Sequence, residues 1–235
     1  MQDIIQEIKT QLIANIDEVS LRTSEKYFKE PIDYYGVRMP VVHQIAKKAY
    51  KQLKENSKAD VWDLCDVLWG SGILEESIVA CDWSYALHKQ YTADDFIRFE
   101  KWIKQDINNW ASCDTFCNHT VGAFVMLYPD YLDKLKDFTQ SPKRWARRAA
   151  AVSLIVPARK GLFLSDIFEI ADLLLTDKDD LVQKGYGWML KVASQQYERQ
   201  VFDYVMSHKA VMPRTALRYA IEKMPRDSRQ MAMTK

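Results

Sequence analysis

Trp110 and Asp114 stand four residues apart in the stretch NNWASCDTFCNH, residues 108–119. If that stretch is helical, the two side chains share one face. A core helix would place an apolar residue at position 114, with Cys113, Phe116 and Cys117 nearby, so an acid there could serve a site. The plainer alternative is that Asp114 caps a helix or pairs with a neighbouring cation, as most helical carboxylates do.

A second constellation is Lys143, Arg144, Arg147 and Arg148 around Trp145. Arg144 and Arg148 are at i and i+4, where like charges repel by a few tenths of a kcal/mol unless an anion lies between them. Phosphate is such an anion, and the guanidinium fork matches its oxygens. From Phe138 to Ser165 there is no acidic residue, while Lys143, Arg144, Arg147, Arg148, Arg159 and Lys160 are all basic. A chain of net charge +1 that is basic along one region can present a local positive field to a polyanion. A salt-bridged arginine remains the alternative for each residue singly.

The third is Trp188 in KGYGWMLK. Gly185 and Gly187 each cost a helix about 1 kcal/mol relative to Ala, which suggests that another backbone or a ligand comes close there. A core Trp is the alternative. The four cysteines, Cys65, Cys81, Cys113 and Cys117, are read as reduced thiols. Cys113, Cys117 and His119 lack a usual zinc spacing, so no metal is expected. No phosphate-loop or dinucleotide fingerprint follows a strand, and no nucleotide cofactor is expected.

Helices must position these residues, because almost every segment carries helical periodicity. Ile4, Ile5, Ile8, Leu12 and Ile16 fall on one side of an N-terminal helix. Ser57 with Asp60 and Thr92 with Asp95 read as helix starts, as do Ser141-Pro142, Asp177 or Asp179, Pro40 and Pro213. With only 7 Gly and 7 Pro and no period-2 run bounded by turns, hairpins are not expected. Roughly a dozen helices on short connectors make either a bundle or a stack of helix pairs. WARRAAAVSLI (145–155) and GYGWMLKVAS (185–194), about 40 residues apart, favour the stack. No linker divides residues 1–235, which read as a single domain. Apolar runs are too short for a bilayer, and the N-terminus does not resemble a signal peptide, so a cytoplasmic protein is expected.

In order and spacing, NNWASCD, WARRAA and QKGYGW, with YFKEPIDYYGVRMP (27–40) before them, resemble the AlkD-like DNA alkylation-repair glycosylases across essentially the whole chain. The resemblance implies an all-α fold, an α-α superhelix or solenoid of HEAT-like two-helix repeats with a basic concave face. It implies an N-glycosylase that hydrolyses the glycosidic bond of cationic N3- or N7-alkylpurines in double-stranded DNA, with no base extruded into a pocket. Neither metal nor cofactor is implied, and the protein is expected to work as a monomer. Asp114, Trp110 and Trp188 would be catalytic, the two rings flanking the lesion sugar. Arg148 would hold the adjoining phosphate, with Arg147, Arg144, Lys143 and Tyr27 adding DNA contacts. The sequence departs from the family pattern at Asn109, where a second Trp is expected, and at Asp180 and Leu181, where an aromatic pair is expected. Two other classes stay open: a non-catalytic repeat protein that binds DNA structure through phosphates, and a protein-interaction solenoid.

Overall fold

The computed structural model describes every residue except Met1, Lys29 and Lys235, and the side chains of Gln2, Ser24, Glu25 and Lys26 are also left undescribed. Among the described residues the chain is helical, with a single isolated bridge between Asp33 and Ile73 in place of any strand. Its internal packing divides it into two compact units, residues 1–116 and 117–235. No change of composition marks that boundary.

The first unit holds α1 (Gln2–Ala14), α2 (Glu18–Tyr27), α3 (Met39–Tyr50), α4 (Lys58–Gly70), α5 (Leu74–Ala86), α6 (Asp95–Lys101) and α7 (Trp110–Phe116). Helix α5 packs against α3, α4 and α7. α1 stops at Ala14, two residues short of Ile16, so Ile16 leaves the apolar stripe on which the periodicity placed it and is exposed. The start at Ser57 is a full capping box with Asp60, which satisfies donors that a helix end leaves unpaired. Asp95 does more than begin α6: its carboxylate accepts from Trp62 Nε1 at 3.0 Å and Lys58 Nζ at 2.8 Å, so it ties α6 to α4.

An aromatic cluster fixes the last helix of this unit. Phe116 is fully buried, 5.5 Å from the ring of Trp102 and 5.6 Å from that of Trp69. Burying such a side chain contributes about 1.5–3 kcal/mol. Cys113, on the same side of α7 as Phe116, is buried too. The burial of 113 and 116 decides which face of α7 is left outward.

The second unit begins with a π-helical turn (Cys117–Val121) and continues through α8 (Gly122–Leu127), α9 (Leu132–Phe138), α10 (Arg144–Val152), α11 (Ile155–Arg159), α12 (Leu164–Leu173), α13 (Asp180–Ala193), α14 (Glu198–His208), α15 (Arg214–Ala220) and α16 (Arg226–Met233). Helix α13 lies between α10 and α15, with α11 and α12 also against it. The starts of α10, α13 and α15 repeat roughly every 35 residues, within the range of helix-pair repeats. Ser141-Pro142 is not the first turn of α10. That helix starts at Arg144 with Lys143 in the capping position, and Ser141 Oγ instead accepts from the Lys143 amide at 3.2 Å. No helix among the described residues is long and apolar enough to cross a membrane.

Candidate functional site

In the first unit, α7 carries Trp110 and Asp114 one turn apart, both half-buried, beside the buried side chains of Cys113 and Phe116. The helix begins where it does because Asn109 caps it. Asn109 is buried, its side-chain oxygen accepts from the Ser112 amide at 2.9 Å, and its carbonyl accepts from Cys113. An indole at position 109 could not accept the Ser112 bond, since it has only a donor. The departure from the family pattern therefore has a local function, which is to fix the start of α7.

Trp110 does not stand alone. Phe28 stacks on its ring at 5.5 Å between centroids and 26° between planes, and Trp110 Nε1 points at the Tyr27 carbonyl 3.4 Å away. Tyr27, the last residue of α2, is 70% exposed. The segment that follows α2 is anchored by two buried acids of α5. Glu75 accepts from the amides of Tyr35, Gly36 and Val37 at 2.9, 2.8 and 2.9 Å, and Glu76 accepts from the Tyr35 hydroxyl at 2.6 Å. Burial and the neighbouring carboxylate of Glu76 push the Tyr35 phenol well above its ordinary pKa, so it stays a donor. Gly36 makes the turn possible: its φ is +87°, and a Cβ there would lie 2.5 Å from Leu21 Cγ.

The second unit holds the arginines, on α10, and Trp188, on α13. Arg147 Nε pairs with Asp177 Oδ2 at 2.6 Å, while its Nη1 donates to the carbonyls of Ser141 and Pro142. Arg144 Nε pairs with Asp179 Oδ2 at 3.0 Å and lies over the Trp145 ring. Arg148 is buried, with 6% of its surface exposed, and Nη1 donates to the Leu181 carbonyl in the first turn of α13. Lys143 is exposed. The acids that the local sequence lacks are supplied by the connection entering α13. Asp179 also caps that helix through the Leu181 amide at 2.9 Å, where the positive end of the helix dipole favours a carboxylate.

Both glycines before Trp188 admit protein, each on a different side. At Gly185 an added Cβ would stand 3.4 Å from Arg148 Cγ, so the small residue leaves room for the arginine stem. At Gly187 it would stand 2.7 Å from Tyr219 Cβ and 2.8 Å from the Ala216 carbonyl oxygen, so α15 can close directly onto α13. Trp188 itself is half-buried rather than a core residue. Asp180, in place of an aromatic, pairs with Lys184 at 3.1 Å.

Tyr27, Trp110 and Asp114 thus belong to the first unit, and Lys143, Arg144, Arg147, Arg148 and Trp188 to the second. Sequence reasoning missed Phe28, which sits next to Tyr27 but carries no signal of its distant partner on α7. It also missed the capping role of Asn109, although an Asn just before a helical run is a usual start. The four cysteines are free thiols, all buried, and burial raises Cys65 to a pKa of about 12, so it is inert. Among the described residues no group of three or more His, Cys, Asp or Glu is placed to hold a metal ion.

The fold and these stretches define an all-α protein of stacked helices carrying an aromatic and carboxylate pair and a separate arginine helix. The model of the family described as DNA alkylation repair enzyme matches residues 8–224, and the chain belongs to that family. Its fold is also that of a structure named as a predicted DNA alkylation repair enzyme from Enterococcus faecalis, with a TM-score of 0.79 and 17% identity over 90% of this chain and 98% of that one. No curated protein matches the chain.

Proposed function

We propose that the protein is a DNA glycosylase that hydrolyses the N-glycosidic bond of cationic alkylpurines in duplex DNA. The observation that carries the reading is that Trp110 and Asp114 stand one turn apart on α7, both partly accessible. A purine alkylated at N3 or N7 already bears positive charge, so it leaves as a neutral base without a general acid. As the C1′–N bond breaks, positive charge passes to the deoxyribose. Asp114 stabilises that oxocarbenium-like charge and takes a proton from the water that adds to C1′, as carboxylates do in glycoside hydrolysis. The products are the free base, a deoxyribose hydroxylated at C1′ and one proton. The face of Trp110 not covered by Phe28 attracts the sugar cation, by about 0.5–2 kcal/mol. Trp188 offers a second indole to DNA, and Tyr27 an exposed phenol.

Phosphate contacts fall to exposed Lys143 and to the outer edges of Arg144 and Arg147. Arg148 orders the first turn of α13 as well as any phosphate it meets. One observation favours a second reading, a non-catalytic binder of DNA: Asp177 and Asp179 already neutralise two of the arginines, and Phe28 already occupies one face of Trp110.

Release of base from a duplex bearing one 7-methylguanine separates the two. Wild type should release base well above the spontaneous rate, and Asp114→Asn should lose most of that release at matched DNA occupancy. Equal, spontaneous release from both proteins while both bind the duplex would overturn the catalytic reading and leave the binder.

A further inference from the structure

The second unit contains an open cleft of about 350 Å³ between α15 and α16, and its rim carries Arg218, Arg226 and Arg229. A water occupies roughly 30 Å³ of liquid, so the cleft has room for a phosphodiester and the edge of its sugar. None of the three arginines makes a side-chain hydrogen bond or ion pair with any described residue, in contrast to Arg144 and Arg147. The one carboxylate on the rim, Glu222, is engaged elsewhere. Lys191 Nζ sits 2.9 Å from it and Lys223 Nζ 3.9 Å, and the hydrogen bond from Lys191 holds its pKa below the ordinary value. Arg226 and Arg229, one turn apart on α16, repel each other unless an anion lies between them. The floor is apolar, formed by Ile221 and Met233.

We propose that this cleft is a DNA phosphodiester site, distinct from the arginine helix α10. It rests on the DNA-binding reading above and adds the place where the backbone is held. Its position supports a nucleic-acid strand rather than an isolated anion. Lys191, which reaches Glu222 at the cleft wall, is three residues after Trp188 on α13, so the two side chains are neighbours on one helical surface. A strand that meets the Trp188 indole would run on past Lys191 toward Glu222 and the cleft. The guanidinium forks bind phosphate oxygens in a bidentate manner, and Ile221 and Met233 accept the sugar edge.

Binding of a short unmodified duplex, followed across salt concentrations, tests this. Removing one phosphate-neutralising charge lowers the slope of log affinity against log salt by about 0.9. Arg226→Gln with Arg229→Gln should therefore reduce the slope by roughly 1.8, independent of DNA sequence. Arg218→Gln, on the facing helix, should reduce it by about half as much. Neutralising two charges of the first unit, with Lys51→Gln and Lys54→Gln, should change the slope far less. Thermal melting checks the fold of each variant, and the single substitution on α15 keeps the test decisive if the double variant on α16 melts early. A wild type that binds the duplex while the cleft variants keep its slope, or match the Lys51 and Lys54 control, overturns the cleft site and leaves the DNA reading intact. A wild type that does not bind duplex DNA overturns both.

Discussion

Helices α7 and α10 each carry a Trp beside charged side chains, and they use them differently. On α7 the inner side chains, Cys113 and Phe116, are buried, while Trp110 and Asp114 are half-buried beside them. On α10 the basic residues turn toward α13: Arg147 to Asp177, Arg144 to Asp179 and Arg148 to the Leu181 carbonyl. The same apparent surplus of positive charge is thus partly structural. A stretch with no acid in its own neighbourhood can be supplied with acids by the next repeat, because stacked helices bring residues about 30 positions apart into contact.

The comparison breaks most sharply if catalysis does not depend on α7. Asp114→Asn should lower base release by roughly 10²–10³, the usual effect of removing one group that stabilises transition-state charge. Its melting temperature should stay near that of wild type. If α10 is structural, stability and not chemistry should respond first to Arg148→Ala. Loss of the buried stem and of its hydrogen bond to Leu181 should destabilise the fold by about 3 kcal/mol, read as a lower denaturant midpoint at unchanged m-value. A stability equal to wild type would show that Arg148 is not the strut between α10 and α13.

Gly187→Ala probes the same packing from the other side of α13. A methyl group pressed against Tyr219 Cβ and the Ala216 carbonyl should cost about 1–3 kcal/mol, in place of the gain of about 1 kcal/mol that Gly→Ala gives at an open helical site. The two caps should differ by less. Asn109→Ala removes the cap of α7 and a side-chain hydrogen bond to Asn108 and should cost about 1 kcal/mol, while Asp179→Ala, which removes the cap of α13 and the ion pair with Arg144, should cost about 2 kcal/mol. Equal losses would mean that the pairing with Arg144 contributes nothing measurable.

The smallest expected effect is one of pH. The side-chain and backbone hydrogen bonds from Ser57 hold the Asp60 carboxylate below its ordinary pKa. A depressed folded pKa contributes stability that is present above the unfolded value, about 3.9, and is lost as pH falls toward the folded one. The stability of Asp60→Asn should therefore fall less steeply than that of wild type between pH 5 and acid conditions. Parallel acid limbs in the two proteins would remove Asp60 as a contributor.

Periodicity and capping residues alone specified an all-helical chain; the starts at Ser57 and Asp179 were legible because a cap satisfies backbone donors within three residues of itself, and those at Pro40 and Pro213 because proline has no donor to leave unpaired at a helix start. The shared face of Trp110 and Asp114 was equally local, a consequence of helical pitch. The start at Ser141 was misplaced by two residues, since the turn there is closed by Arg147, which reaches back to the Ser141 and Pro142 carbonyls. What only the tertiary structure decided was the partner of each charge. Asp177 pairs with Arg147 and Asp179 with Arg144, Phe28 covers one face of Trp110, and Arg218, Arg226 and Arg229 line one cleft. Sequence order carries no record of these pairings, because they depend on which helices stack and on which small residues, Gly185 and Gly187 above all, let them come close.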